Sequence, residues 1–348
     1  MVPLSRRRLL TVSPGALAGA WASVASPGAL AAESYEAATA RIWRAGPLQG
    51  LSGAELSREL VRYATLAPSS HNTQCWRFVA DGQSITILPD LSRRCPVVDP
   101  DDHHLFVSLG CATENLVQAA LALGLSSEVR FDAVRDAVEV ALSPTPPFVT
   151  ALFKAVVARQ STRGDYDGHP LSPQELGVLE RAGSNDRVRT LIITEKPALE
   201  RVLDLVVQGN TAQLKDKAFV RELKSWIRFS AADAVARGDG LFSASSGNPA
   251  VPSWLGRTLF DFVVTPASEN EKYTRQLRSS AGVAVFVAAR EDKAHWVEVG
   301  RSFERFALQA TVMGVRHAHL NMPVEVAALR PAFADSLGLG RQRPDLVI

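Results

Sequence analysis

Between an apolar helical segment and a strand-like segment, the chain reads Ala67-Pro68-Ser69-Ser70-His71-Asn72-Thr73-Gln74-Cys75-Trp76-Arg77-Phe78. The serine hydroxyls and the two carboxamides of this loop offer hydrogen-bond donors and acceptors in several directions. Such a set suits a planar heterocycle whose edge alternates N–H and C=O groups. The Pro-Ser-Ser-His-Asn part taken alone is better explained as an ordinary turn.

A second polar motif lies well beyond this loop, at Arg159-Gln160-Ser161-Thr162-Arg163. Two arginines around a serine at a helix end can hold a phosphate by charge-assisted hydrogen bonds. A solvated basic helix end, which complements the helix dipole, is the alternative. For this motif alone the alternative is favoured.

Together the two motifs resemble those of the FMN-dependent nitroreductase family, whose flavin loop reads P-S-S-x-N-x-Q-P-W-x-F and whose phosphate motif reads R-R-S-x-R. Cys75 stands where that family has proline, and the order of the motifs is reversed. The resemblance implies one non-covalent FMN per chain. The cofactor-binding residues it implies are Pro68, Ser69, Ser70, Asn72, Gln74, Arg159, Ser161, Arg163, His317, Arg341 and Arg343.

The last three of these residues are carried by weaker segments. Arg341-Gln342-Arg343-Pro344 resembles the basic pair that completes the phosphate site in the family, with surface charge after a glycine-rich turn as the alternative. His317 lies in residues 314–325, which correspond by position to a segment whose backbone N–H groups lie beside flavin N5. No side chain is predicted to act as a catalytic acid or base.

A faint internal repeat connects two predicted helices. Aligning Gly110 with Gly300 also places Glu114 on Glu304, and both helices end at a glycine. Four matches on two amphipathic helices can arise by chance. The family resemblance strengthens the repeat, because the chain most resembles the exported or Acg-like branch of the family. Proteins of that branch are single chains with two nitroreductase-like halves.

The resemblance implies an α+β fold, a three-layer α/β/α sandwich around a mostly antiparallel central sheet, with an internal pseudo-dimer. The predicted N-terminal half is 33–147 and the C-terminal half is 148–348. Helices are expected over 55–67, 99–123, 148–159, from 172, through most of 197–237 and over 295–313. Strands are expected at 84–88, at 129–131 paired with 137–142, at 189–194 and at 282–288 in the centre of a sheet, and extended strand-like segments at 315–321 and 345–348.

Residues 1–32 have the form of a twin-arginine export signal. Paired arginines at Arg6 and Arg7 precede a weakly apolar run that ends in the cleavage-like Ala29-Leu30-Ala31. A lipid-surface helix or a basic tail is the alternative. Export implies the twin-arginine machinery as a partner and a periplasmic or other extracytoplasmic bacterial location.

Composition narrows the other partners. The formal charge is +2, and no basic block follows the leader, so nucleic acid is not expected. Cys75, Cys95 and Cys111 form no C-x-x-C pair, and which of them could form a disulfide stays open. Both a monomer with an internal pseudo-dimer and a homodimer are compatible with the sequence.

Metal binding has little support. Asp101-Asp102-His103-His104 and His317-x-His319 hold suitable atoms, but no third ligand has a recognisable spacing. Asp102 as a helix cap beside a solvated histidine is the favoured interpretation.

The predicted function is FMN-dependent hydride transfer from a reduced nicotinamide or other donor to a nitroaromatic, quinone or similar acceptor. One alternative is a non-catalytic protein that holds flavin under a lid formed by 238–252, with Phe242 or Trp254 turned inward. The other is a decayed scaffold without flavin, for which Cys75 is mild support.

Overall fold

The computed structural model describes residues 33–348, so the predicted export signal at 1–32 lies outside the described residues. The helices are α1 Tyr35–Ile42, α2 Gly53–Ala64, α3 His103–Ala122, α4 Ala151–Val156, α5 Pro173–Gly183, α6 Lys196–Lys215, α7 Lys217–Trp226, α8 Ala231–Arg237, α9 Ser253–Val263, α10 Pro266–Arg278, α11 Lys293–Val312, α12 Met322–Glu325 and α13 Arg330–Ser336. The strands are β1 Trp76–Ala80, β2 Ser84–Pro89, β3 Leu125–Asp132, β4 Ala137–Pro144, β5 Val188–Ile193, β6 Ile227–Arg228, β7 Leu241–Phe242, β8 Val283–Ala288 and β9 Leu346–Val347.

Local sequence explains where two of the helices begin. At α5, the Ser172 hydroxyl accepts from the Glu175 N–H and the Glu175 carboxylate accepts from the Ser172 N–H, which is a complete capping box. The helix expected over 148–159 is shorter than predicted, because the Thr150 hydroxyl caps it by accepting from the Phe153 N–H and it ends at Val156. Arg159 therefore lies beyond α4 rather than within it.

The first sheet has the order β1-β2-β4-β3 and is antiparallel throughout. The predicted pairing of β3 with β4 is confirmed. Ile85 and Ile87 of β2 and Val138 and Val140 of β4 are buried in the main core. The intervening residues are more exposed along most of these strands, as expected for an antiparallel sheet with one covered face.

The second sheet has the order β5-β8-β9 and is also antiparallel. All six residues of β8 are buried, and its predicted central place in a sheet is confirmed. Phe286 and its neighbours at alternate positions pack into the main core with α11, whereas Val285 and its neighbours pack into a second core with α6 and α13. Helices thus cover both faces of this sheet.

Two helices, α3 and α11, form the centre of the main core. By length and apolar composition α3 could cross a membrane, yet 89% of its most apolar stretch is buried inside the protein. The helices cross at Gly110 and Gly300, where a Cβ on Gly110 would overlap the Val297 carbonyl oxygen and a Cβ on Gly300 would overlap the Val107 carbonyl oxygen. Only glycine at these two positions allows this close approach.

The prediction of an α+β fold with antiparallel sheets is confirmed. The described strands form two separate antiparallel sheets and a short parallel pair, β6 with β7, rather than a single central sheet. The three-layer nitroreductase-like sandwich and the internal pseudo-dimer stay predictions. So does the boundary between 33–147 and 148–348, whose helices α3 and α11 share one core.

Candidate functional site

A cavity of about 1330 Å³ is bordered by the loop after α2, the chain after α4, α1, the beginning of α3, and the region from α7 to α9. Most of the predicted cofactor-binding residues lie in its wall, although their two motifs are far apart in the sequence. Those residues are Pro68, Ser69, Ser70, Asn72, Gln74, Arg159, Ser161 and Arg163. The fold therefore brings the loop and the phosphate motif to one cavity.

The loop has an unusual backbone. His71, Asn72 and Gln74 all have left-handed conformations, with φ of 49°, 52° and 56°. Residues other than glycine seldom adopt such angles, and each costs of order 1 kcal/mol or more. The Ser69 hydroxyl supports this conformation by accepting from the Gln74 N–H at 3.1 Å. Strain of this kind clusters at binding sites.

Asn72 connects this loop to the segment that was predicted as a lid. Its Nδ2 donates to the Gly240 carbonyl oxygen at 2.9 Å, and the Gly240 N–H donates to the Asn72 carbonyl oxygen at 2.8 Å. Its Oδ1 accepts from Gln74 Nε2 at 2.7 Å. Both carboxamides of the motif thus have partners within the protein, and their contact with a cofactor ring stays a prediction.

Asp239, next to Gly240, is an anchor that the sequence did not reveal. Its carboxylate accepts from the Arg228 guanidinium, with Nη2 at 2.5 Å and Nε at 3.1 Å, and also pairs with Arg93. The Arg228 side chain is only 3% exposed. Arg93 in turn donates to the Thr73 carbonyl oxygen in the loop. Arg228 is the last residue of β6, which pairs with β7. The contacts of Asp239 with Arg228 and Arg93 therefore hold the beginning of 238–252 against the loop.

The predicted lid segment borders the cavity over much of its length. Phe242 lies in the wall and packs against Tyr35 of α1, with ring centroids 4.6 Å apart and ring planes tilted by 44°. Trp254 is 70% exposed and lies outside the wall. One of the two aromatic residues therefore faces the cavity, and the covering of a flavin stays a prediction.

Arg159 is the most buried cation in the wall, with 5% exposure. Its Nη2 donates to the Leu66 carbonyl oxygen at 3.0 Å, and its Nε lies 3.2 Å from Glu304 Oε1. Nη1 has no hydrogen-bond partner within residues 33–348. A buried donor without a partner is costly and indicates a ligand or water at that position. Arg163, in contrast, is exposed at the rim.

His317 lies beside the phosphate motif but not in the cavity wall. Ser161 and His317 form an isolated parallel bridge, and the Thr162 N–H donates to the His317 carbonyl oxygen at 2.8 Å. Burial, with a smaller contribution from the Arg159 charge, lowers the pKa of His317 to about 3, so the ring is neutral near pH 7. The expected strand over 315–321 is reduced to this bridge.

The two C-terminal arginines lie outside the wall. Arg343 donates to Asp101 Oδ2 at 2.7 Å and lies 3.3 Å from His103 Nδ1. Arg341 is exposed. Of the four arginines predicted to bind phosphate, Arg159 and Arg163 thus lie at the cavity, and Arg341 and Arg343 lie outside its wall. The role of the C-terminal pair stays a prediction.

Asp102 occupies the N-cap position of α3 as predicted, but the expectation that its side chain caps the helix beside a solvated histidine is wrong. Asp102 has φ of 59° and its side chain makes no capping bond, whereas the Asp99 carboxylate accepts from the His104 and Leu105 N–H groups at 3.0 and 2.9 Å. Both histidines are buried, with His103 Nε2 2.9 Å from Asp345 Oδ1. The sequence does not indicate this contact, because Asp345 lies just before β9, far from His103 in the chain. Among the described residues no group of three His, Cys, Asp or Glu side chains could hold a metal ion.

A further polar cluster in the wall was missed from the sequence. His104 Nε2 is hydrogen-bonded to the Asp345 carbonyl oxygen at 3.0 Å, and its Nδ1 lies 3.8 Å from Glu325 Oε1. Gln213 Nε2 donates to the other Glu325 oxygen at 2.7 Å. Burial raises the pKa of Glu325. The three residues lie on α3, α6 and α12, and no local pattern connects them.

The chain is similar to two proteins of Mycobacterium tuberculosis (strain H37Rv). One, named "Putative NAD(P)H nitroreductase Rv3131", is 26% identical over 298 residues, 82% of each chain. The other, named "Putative NAD(P)H nitroreductase acg", is 24% identical over 294 residues, 82% of this chain and 85% of the relative. No family model matches the chain. These relatives support a nitroreductase-like oxidoreductase.

Proposed function

We propose that this protein is an FMN-dependent oxidoreductase that transfers hydride from a reduced nicotinamide or other donor to a nitroaromatic, quinone or similar small acceptor. The observation that carries the proposal is the meeting of the Pro68–Gln74 loop and the Arg159-x-Ser161-x-Arg163 motif in one cavity. The names of the similar mycobacterial proteins support the reaction class.

The residues at this cavity fit FMN. The volume of the cavity, about 1330 Å³, is above the upper end for ordinary ligand pockets, so a bound flavin mononucleotide would leave room for a second molecule. The unpartnered Nη1 of Arg159 supplies a buried donor for a terminal phosphate, and Ser161 and Arg163 lie in the same wall. Such a clamp suits the terminal phosphate of FMN rather than the diphosphate of FAD.

Bound FMN would supply two-electron chemistry at N5. The chain would supply binding and orientation. Arg159, Ser161 and Arg163 would hold the phosphate, while Ser69 and Ser70 would place the ring through their hydroxyls and backbone. The segment 238–252, held by Asn72 and Asp239, would exclude water from the ring.

A two-halved, Acg-like organisation also belongs to this proposal. Gly110 lies against the Val297 carbonyl, which is three residues before Gly300. Gly300 lies against the Val107 carbonyl, which is three residues before Gly110. Exchange of the two helices therefore relates one contact to the other. This reciprocity is what an isologous two-fold contact gives. One chain would then form internally the contact that separate subunits form in a dimer.

A second candidate function is flavin holding without turnover. The anchored position of 238–252 favours it, because Asn72 and Asp239 fix this segment beside the loop. Export by the twin-arginine route to an extracytoplasmic space, which we propose on the leader sequence, would also separate the protein from cytoplasmic NAD(P)H.

The visible spectrum of the purified protein separates the candidates. An oxidoreductase shows a flavin band that NAD(P)H or another donor bleaches and an acceptor restores. A flavin-holding protein shows a band that these donors do not bleach. A protein that stays colourless after incubation with FMN contradicts both. Mass spectrometry of the denatured supernatant should identify FMN at one per chain.

A further inference from the structure

The phosphate motif has a buried acidic neighbour that its sequence does not contain. Glu304 of α11 is fully buried, and its Oε1 lies 3.2 Å from the Nε of Arg159, which is itself 5% exposed. Among the described residues, Arg159 is the only cation within ion-pair distance of Glu304. Neither Glu304 oxygen accepts a hydrogen bond within residues 33–348. Arg159 is therefore the main group that stabilises the charge of this carboxylate.

Of the other groups around Glu304, the Asn115 side chain on α3 also lowers its pKa, with a smaller effect than that of Arg159. Glu114 on α3 is a like charge, although Arg301 and Arg305 pair with it at 3.4 and 2.9 Å. Cys111 on α3 is a buried thiol whose pKa is raised by burial, so it is neutral. His317, whose pKa the Arg159 charge also lowers, is neutral near pH 7.

Arrival of a phosphate would change this balance. A phosphate group carries about two negative charges near neutral pH, and it would share Arg159 with Glu304. A buried carboxylate that loses its cation costs several kcal/mol, and neutralisation by a proton is the usual escape. Burial already raises the pKa of Glu304 to about 7, in spite of the opposing effect of Arg159. Weakening the Arg159 contact would raise it further.

We propose that Glu304 balances the charge of the phosphate site, taking up one proton when the phosphate group of FMN binds Arg159. This inference rests on the proposed function, since FMN is the ligand. Glu304 is a positioning residue that acts through Arg159: ionised, it holds the guanidinium in place in the free protein, and protonated, it releases the guanidinium to the phosphate.

The experiment measures FMN affinity by flavin fluorescence from about pH 6 to about pH 9 for the wild-type chain, Glu304→Gln and Glu114→Gln. In the wild type we expect affinity to fall by roughly tenfold per pH unit above about pH 7, because the proton must then be taken from solvent. Glu304→Gln should lose this slope and bind more tightly than the wild type at about pH 9. Glu114→Gln, the matched control at the equivalent position of α3, should keep the slope.

Calorimetry of the wild type in two buffers of different ionisation enthalpy counts the proton directly and does not depend on the folding of a variant. We expect uptake of about one proton at about pH 8 and markedly less at about pH 6. Bound FMN without proton uptake, or a slope that Glu304→Gln retains, overturns this inference and leaves the proposed function intact. Absence of FMN binding at every pH overturns both.

Discussion

Gly110 of α3 and Gly300 of α11 lie against each other where the two central helices cross, and each would place a Cβ on a carbonyl oxygen of the other helix. The same two residues align in the internal repeat. A Cβ on Gly110 would also lie 2.9 Å from the Gly300 Cα. Because the opposing atoms are backbone, the helices must separate to accept any side chain.

Alanine at either glycine should destabilise the protein. We expect Gly110→Ala and Gly300→Ala each to lower the free energy of unfolding by about 2 kcal/mol or more, the usual cost of overpacking a core. Gly177→Ala is the matched control, because this glycine lies in α5 and its Cβ would meet only the flexible end of Arg181. Urea unfolding measures all three. Equal stability of Gly300→Ala and Gly177→Ala would contradict the close crossing.

The stabilisation that each buried neutral histidine contributes should be lost in mild acid, whereas the buried carboxylates Glu304 and Asp345, with pKa values raised to about 7, act in the opposite direction. Burial lowers the pKa of His317 and of His319 to about 3, below the ordinary value of an unfolded histidine. At each of these two histidines the unfolded state then binds more protons than the folded state between about pH 3 and about pH 6.5, so the contribution of that histidine to stability is lost as the pH falls through that range. For each histidine the loss from about pH 7 to about pH 5 is about 2 kcal/mol.

His317→Gln tests this dependence with little change in size. The variant is expected to be less stable at neutral pH but to lose about 2 kcal/mol less than the wild type between about pH 7 and about pH 5. Denaturant unfolding at the two pH values provides the comparison. An unchanged difference would mean that the His317 ring is not buried as a neutral group.

The cations of the cavity wall should differ from those outside it. Arg163→Ala should weaken FMN binding by about 1.5 kcal/mol, the lower end for a hydrogen bond to a charged group, since this arginine is exposed in the free protein. Arg187→Ala, an exposed arginine outside the wall, is the control. Arg341→Ala tests whether the C-terminal cations join the site when FMN binds. Equal affinities for Arg163→Ala and Arg187→Ala would remove Arg163 from the site.

Patterns within one segment were predictable from the sequence. The helix start at Ser172, the apolar run of β8 and the hairpin of β3 with β4 each follow from neighbouring residues. The loop and the phosphate motif were found because their residues are adjacent in the chain, and both lie at the cavity.

Contacts between distant segments were not predictable in this way. Glu304 and Asp239 are single acidic residues without a local pattern, and only the folded chain places them beside Arg159 and Arg228. Asp345 could not be connected to His103 for the same reason, and the burial of that histidine was therefore missed. Asn72 fitted the flavin motif, yet its Nδ2 donates to Gly240, a partner that a linear motif cannot indicate.

The contact between Asn72 and Gly240 makes a testable statement about the lid. Asn72→Ala removes the side-chain hydrogen bond to Gly240, worth about 1 kcal/mol, and the one accepted from Gln74 within the loop, while the backbone bond between Asn72 and Gly240 remains. We expect FMN to dissociate about fivefold faster and bulky quinones to be reduced faster, since the segment 238–252 opens more often.

Phe242→Ala, which removes the contact with the Tyr35 ring, should act in the same direction. Trp254→Ala is the control, because this exposed side chain lies outside the cavity wall. Stopped-flow transfer of FMN to an excess of a flavin-binding acceptor protein measures the rate of dissociation. A change in the visible spectrum of bound FMN in Asn72→Ala would show that Asn72 also contacts the ring. If Asn72→Ala and Phe242→Ala release FMN at the rate of Trp254→Ala, the segment is not a lid over the flavin, and the flavin-holding alternative loses its structural support.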